Sequence, residues 1–353
     1  MVATPRPRPV LVEAPSPYSP REDRVNFLRL DLNEDLSGPL VRRGMPRGAA
    51  PAMYPGSHSL NRALAARFRV PEDWVRVTAG ADEGIHGLLR AFLDPGDVLL
   101  LPWPTFSEYL VAAWPQGARV ERALYGADLA FPLAAFREGL AQRPKIAVLV
   151  TPANPTGEWM APAMVLELVE SAPQTLFIVD EAYAEFGDGS ILDMGPPPPH
   201  VAVLRTFSKA YGLAGARVGY VIAHPPVLEA MRQVLPSFSL AGPSLALAEV
   251  GLQSLEALKR RVKTIEAGQR RVAAWGERHG LRVHRTRTNF VLFRLRDTAQ
   301  AKALAAALEA RGVLVSDRTD ALAGVLRVAI GMPRHVSRLL EALEGAWDDA
   351  NGE

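Results

Sequence analysis

Residues 201–219 read VAVLRTFSKAYGLAGARVG. Val201–Leu204 is a short, continuous apolar run, the pattern of a strand buried on both faces. It runs into Thr206, Ser208 and Lys209, and a glycine-containing stretch then delivers Arg217. A lysine at a strand end in a closed pocket can lose its proton by desolvation and form a Schiff base. Hydroxyls and an arginine close by can bind a phosphate dianion, the arginine bidentately. A bare Ser-Lys pair is more often an exposed loop lysine, so the segments around it decide the reading.

Working outward, Val98–Leu101, Ile146–Val150, Leu176–Val179 and Val218–Ile222 have the same short apolar character. Amphipathic helical segments such as Asp82–Phe92 and Ala161–Glu170 lie between them. Strands alternating with helices imply an α/β fold, a mainly parallel sheet covered on both faces. Ligands of such sheets bind at the carboxyl ends of the strands. After about residue 240 the pattern changes to a long helical stretch, Pro243–Gly280. Strand Asn289–Leu295, helix Thr298–Arg311, strands Val313–Ser316 and Leu326–Ile330, and a helix from about Pro333 follow. The expected organisation is an N-terminal arm with part of the small domain (1–45), a large domain (46–240) and a small α+β C-terminal domain (241–353). Gly195–His200, with four consecutive prolines, reads as a surface loop rather than a linker.

Four more segments sit where chemistry is expected. Leu176–Tyr183 places Asp180 at a strand end, where an unpaired carboxylate would be costly to bury. It makes sense opposite a protonated heteroaromatic nitrogen, with Tyr183 reaching a phenolic oxygen of the same ring. A helix N-cap or a metal-ligand pair would also use Asp-Glu here. Thr151–Gly157 holds its backbone with two prolines, and Asn154 can donate its amide to a phenolate; alone it would be an ordinary turn. Thr78–Gly84 opens a helix whose free N–H groups suit a phosphate, although one glycine-rich helix start is a weak signal. Pro102–Tyr109 offers an aromatic that could lie on a flat ring or simply pack in the core.

Bulk properties exclude several classes. The chain has 353 residues and 48% hydrophobic content, enough for one large and one smaller domain. With 40 basic and 38 acidic residues, formally +2, there is no electrostatic case for nucleic acid. Cysteine is absent, so disulfides and cysteine-based metal or nucleophile sites are excluded. No apolar run approaches the ~18 residues of a membrane span. Met1–Pro20 is rich in Pro and Arg and lacks the apolar segment of a secretory signal, so a cytoplasmic chain with an extended arm is expected. The histidines show no metal-ligand spacing, so no metal is expected, and the Arg-rich Leu258–Arg271 reads as a solvated helix face.

Taken in order, Gly-Ala-Asp-Glu, Pro-Thr-Phe, Asn-Pro-Thr-Gly, Asp-Glu-Ala-Tyr, Ser-Lys and Arg resemble the class I/II aminotransferases of the fold-type I pyridoxal 5′-phosphate (PLP) enzymes. The resemblance runs from about Tyr18 to the final helix and implies their three-layer large domain. Within that family the sequence is most similar to histidinol-phosphate aminotransferases, through Ser16–Ser19, Leu32–Glu34, Gly38-Pro39, Tyr54-Pro55 and Leu326–Gly331. The resemblance implies that Lys209 links covalently to PLP and shuttles a proton, that Asp180 pairs with the pyridine nitrogen, and that Asn154 and Tyr183 hold the phenolic oxygen. It implies a phosphate cradle of Ala81, Asp82, Thr206, Ser208 and Arg217, with Phe106 stacked on the ring. Tyr54 is expected to reach the phosphate across a homodimer interface. Tyr18, Asn33, Asn154, Arg318 and Arg327 are the expected substrate contacts, Arg327 for a carboxylate or phosphate.

The departures are specific. Asp35-Leu36 replaces Asn-Pro, and Ala153 replaces the first Asn of an Asn-Asn-Pro pattern. Family members carry an arginine for substrate phosphate in the strand Gly-x-Leu-Val-Arg; here that strand is Gly312–Ser316. Arg318, two residues on, would share its face if the strand continued. The expected reaction is transamination between histidinol phosphate and 2-oxoglutarate. An aromatic or other amino-acid aminotransferase and a threonine-phosphate decarboxylase are the alternatives on the same scaffold. A PLP-sensing regulator would need a DNA-binding domain, for which the arm before Asp31 is too short.

Overall fold

A computed structural model describes residues 22–34, 38, 40, 54–317 and 322–351. Tyr18 and Arg318, both expected at the substrate end, lie outside the described residues, as do Asp35-Leu36 and Pro39. The N-terminal half contains β1 (Leu28–Leu30), α1 (His58–Phe68), β2 (Val75–Thr78), α2 (Gly80–Phe92), β3 (Val98–Trp103), α3 (Glu108–Ala113), β4 (Arg119–Leu124) and α4 (Leu133–Ala141). It is followed by β5 (Ile146–Val150), α5 (Pro162–Glu170), β6 (Leu176–Asp180), β7 (Val201–Thr206), β8 (Gly219–Ala223) and α6 (Pro225–Val234). The remainder is α7 (Gly242–Gln253), α8 (Leu255–Arg278), β9 (Arg282–Arg285), β10 (Phe290–Arg294), α9 (Thr298–Ala310), β11 (Val313–Asp317), β12 (Val325–Ala329) and α10 (Pro333–Asn351).

Two sheets result. The larger has the order β2-β8-β7-β6-β5-β3-β4, and its β4-β3-β5-β6-β7 portion is parallel throughout. Every residue of β5, β7 and β8 is buried, as a sheet covered on both faces requires. Alternation divides the core. Ile146, Val148 and Val150 pack with α2, α3 and α6, while Ala147 and Leu149 face the cluster that includes α1, α4 and α5. Each Ile, Val or Leu among them contributes about 1.5–3 kcal/mol by leaving water. This is the three-layer α/β architecture expected from the sequence. β8 departs from the parallel pattern and runs antiparallel to β7 and β2. Residues 207–218 join β7 to β8 without a crossover helix, so the chain turns back beside the strand it has just left. That turn carries both Lys209 and Arg217 over the carboxyl end of β7.

The smaller sheet has the order β1-β11-β12-β10-β9. Its β1 comes from the N-terminal end and pairs in parallel with β11, Leu28 opposite Val313. The long helical stretch expected at 243–280 consists of two helices, α7 and α8, meeting at Ser254. The Ser254 hydroxyl bonds back to the Val250 carbonyl at 2.8 Å, offering the backbone an alternative to continuing the helix. α8 buries Leu258, Ile265, Val272 and Trp275 and exposes Lys259, Arg260 and Arg270 on its other side. Among the described residues no helix is long and apolar enough to cross a membrane, and no three metal-ligating side chains group together.

Candidate active site

A cavity of about 340 Å³ opens at the carboxyl ends of the parallel strands. It is lined by Ala81 and Asp82 from the start of α2, Phe106 after β3, Asn154 after β5, Asp180 and Tyr183 at and after β6, and Thr206, Ser208, Lys209 and Arg217 at and after β7. These are ten of the residues that the sequence assigned to cofactor contact, brought together from five strand ends. Lys209 is distinctive. Of the chain's five lysines, Lys145, Lys259, Lys263 and Lys302 are exposed, and only Lys209 is partly buried. Its Nζ lies 5.6 Å from the centre of the Tyr183 ring and donates to the Leu32 carbonyl at 3.4 Å.

Asp180 is 3% exposed. Tyr109 donates its hydroxyl to Oδ2 at 2.8 Å, and the Ala182 N–H reaches Oδ1 at 3.1 Å. Burial nevertheless pushes the Asp180 carboxyl up from 3.8 to about 6, beyond what those two bonds restore. Burial, together with the facing Asp180 charge, raises the Tyr109 phenol well above its usual range. A carboxylate so placed is short of a cation, and a protonated ring nitrogen would supply one.

The opposite end of the cavity suits a phosphate. Gly80 has φ +82°, and a Cβ built there would stand 2.5 Å from Arg217 Nη2, so only glycine lets the guanidinium settle on the start of α2. Arg217 Nη2 bonds Asp82 Oδ2 at 2.7 Å, and Nη1 approaches the Ser208 hydroxyl at 3.4 Å. Thr206 Oγ1 donates to Ser208 Oγ at 3.0 Å. The Arg217–Asp82 pair is about half exposed, so it contributes only about 0–1 kcal/mol and leaves the guanidinium available. Asp82 gives its carboxylate to Arg217, and its backbone N–H remains at the helix start to face an anion.

Asn33 and Arg327 do not line the cavity. Both are buried, at 1% and 2% exposure. Asn33 Nδ2 donates to the Tyr183 hydroxyl at 2.8 Å. Arg327 Nη1 donates to Asn154 Oδ1, which leaves the Asn154 amide NH2 as the group free to donate elsewhere. Arg327 Nη2 donates to the Asp31 carbonyl at 2.8 Å. Tyr54 is also away from this cavity. It is 80% exposed and stacks on Phe238 with ring centres 4.4 Å apart. Sequence reasoning missed Tyr109, although the stretch Pro102–Tyr109 contained its signal: a tyrosine buried at a helix start needs a partner for its hydroxyl. It also assigned no role to Leu32, Glu34 or Ala182, which line the cavity.

The model of the family "Aminotransferase class I and II" matches residues 50–343. A histidinol-phosphate aminotransferase of Symbiobacterium thermophilum is 35% identical over 332 residues, covering 91% of each chain. An aromatic amino acid aminotransferase of Thermobifida fusca is 34% identical over 332 residues, covering 90% of each. The crystal structure of histidinol-phosphate aminotransferase from Sinorhizobium meliloti in complex with PLP has the same fold, with a TM-score of 0.87, 24% identity and 98% of both chains covered. The cavity that gathers Lys209, Asp180 and Arg217 lies inside the matched span, and the chain belongs to the class I and II aminotransferases, PLP-dependent enzymes of this fold.

Proposed function

We propose that the chain transfers the amino group of histidinol phosphate to 2-oxoglutarate, with PLP attached to Lys209. The observation that carries the site is that the one partly buried lysine shares a cavity with a buried carboxylate in need of a cation. The substrate follows the name borne by several relatives, at 30–36% identity over most of the chain.

The donor set fits the cofactor. Arg217, Ser208, Thr206 and the Ala81 and Asp82 N–H groups would hold the phosphate. Asn154 and Tyr183 would donate to the phenolic oxygen, Phe106 would cover a ring face, and Asp180 would hold the proton on the ring nitrogen. When bound, PLP supplies an electron sink for the charge left at the substrate Cα. Lys209 Nζ would be the group to take the proton from the substrate Cα and hold it for return. Asp180, with Tyr109 donating to its Oδ2, would keep that ring nitrogen protonated. Arg327 would orient an anionic end of the substrate through Asn154, which it already touches. The exposed Tyr54–Phe238 pair suits a second copy of the chain, with Tyr54 reaching the partner's phosphate in a homodimer.

A second reading, an aromatic amino-acid aminotransferase, is favoured by Ser316. It lies opposite Arg327 in the β11–β12 register, where an arginine would serve a substrate phosphate. A half-reaction screen separates the two. Protein loaded with PLP is mixed with single amino donors, and conversion of the bound chromophore to the amine form is followed. Fast conversion by histidinol phosphate supports the proposal; fast conversion only by aromatic amino acids replaces it. Release of carbon dioxide from threonine phosphate would instead indicate a decarboxylase.

A further inference from the structure

The turn after β1 uses three consecutive residues to link β12 of the smaller sheet to the active end of the larger one. The Asp31 carbonyl accepts from Arg327 Nη2 at 2.8 Å, the Leu32 carbonyl from Lys209 Nζ at 3.4 Å, and Asn33 Nδ2 donates to Tyr183 at 2.8 Å. The turn is held at both ends by one side chain. Arg24, 7% exposed, grips Asp31 with Nε and Nη2 at 3.0 and 2.8 Å and Glu34 with Nη2 at 2.7 Å. Asn33 has φ +55°, a left-handed conformation that asparagine tolerates better than most residues. Its carbonyl accepts from Asn289 Nδ2 at 2.9 Å, tying the turn to the start of β10.

The direction of the Asn33–Tyr183 bond matters. An amide NH2 can only donate, and a phenol can accept one bond while donating another. With the Tyr183 oxygen accepting from Asn33, the Tyr183 hydrogen is left to point elsewhere. Tyr183 is 2% exposed and lines the cavity, and among the described residues its hydroxyl shows no acceptor. We propose that Asn33 is a positioning residue for Tyr183, fixing the tyrosine hydroxyl as a donor into the cavity while Arg24 holds Asn33 in place through Asp31 and Glu34. The proposal rests on the cofactor's phenolic oxygen lying against Tyr183. It assigns Asn33 to the cofactor end of the site rather than to substrate contact.

A hydrogen bond donated to the phenolic oxygen draws negative charge off it and weakens its hold on the neighbouring linkage proton. Losing that bond therefore raises the pH midpoint at which the absorbance of the cofactor–lysine linkage changes. The test compares this midpoint, and the dissociation constant for PLP, in wild type, Asn33→Gly, Asn33→Asp, Tyr183→Phe and both double variants. Gly keeps the left-handed backbone and removes the amide. Asp keeps the size and replaces the donor with an acceptor. The expected result is a midpoint raised by about one unit in Tyr183→Phe and in Asn33→Gly. PLP should bind about tenfold more weakly in both, and neither Asn33 change should add to Tyr183→Phe. Asn33 variants at the wild-type midpoint beside a raised Tyr183→Phe overturn the proposal alone, as does a full Asn33 shift on the Tyr183→Phe background. A wild-type midpoint in Tyr183→Phe overturns the cofactor placement and the proposal with it.

Discussion

Replacing Asp180 with asparagine should stabilise the cofactor-free protein at neutral pH relative to wild type, and the advantage should fade in acid. In the fold the carboxyl titrates at about 6, chiefly because burial penalises its charge, against 3.8 ordinarily. The unfolded chain therefore loses this proton first as pH rises. Between about pH 4 and about pH 6 the native state binds more protons than the unfolded state, so stability falls with rising pH. A shift of that size corresponds to about 3 kcal/mol, fully felt above the folded value and absent below the unfolded one. Asparagine does not titrate, so any constant cost of the amide, such as its clash with the Ala182 N–H, cancels when two pH values are compared. Urea unfolding of both cofactor-free proteins at about pH 4, where the unfolded carboxyl is already partly ionised, and at about pH 7 should show the difference moving by about 2.5 kcal/mol in favour of the variant. PLP should reverse the ranking, because a ring cation stabilises only the carboxylate. A wild-type to variant difference that stays constant across this range would refute the argument that Asp180 is short of a cation.

Two further outcomes follow from the geometry. Gly80→Ala adds a Cβ 2.5 Å from Arg217 Nη2 at φ +82°, so PLP affinity should fall by roughly tenfold or more in equilibrium binding; unchanged affinity would place the phosphate elsewhere. Arg205→Met strands Glu181 and Glu185, which it pairs at 2.7 and 3.4 Å in the core beneath the site, and should cost about 3–5 kcal/mol in a denaturation curve; a loss below about 1 kcal/mol would show that the pair contributes little.

What the sequence disclosed follows from where each element sits. β5, β6 and β7 were legible because both their faces are covered, which leaves continuous apolar runs. β4 and β9 were not, because they form sheet edges and read RVERAL and RVHR, with one side turned to water. β2, the other edge of the large sheet, is only four residues long. At the site, Lys209, Asp180 and Asn154 stood out as polar groups directly following buried strands. Tyr109 did not, since its partner Asp180 is 71 residues away and the contact exists only once α3 packs over β6. The Asn33–Tyr183 bond spans 150 residues and joins the turn after β1 to the end of β6, a pairing that no local pattern encodes.

The most direct test of the account is the point at which the cofactor attaches. Protein loaded with PLP, reduced with borohydride and digested should carry the added mass on the peptide containing Lys209, and Lys209→Ala should carry none. Label spread over the exposed Lys145, Lys259, Lys263 and Lys302, or retained undiminished in Lys209→Ala, would contradict it.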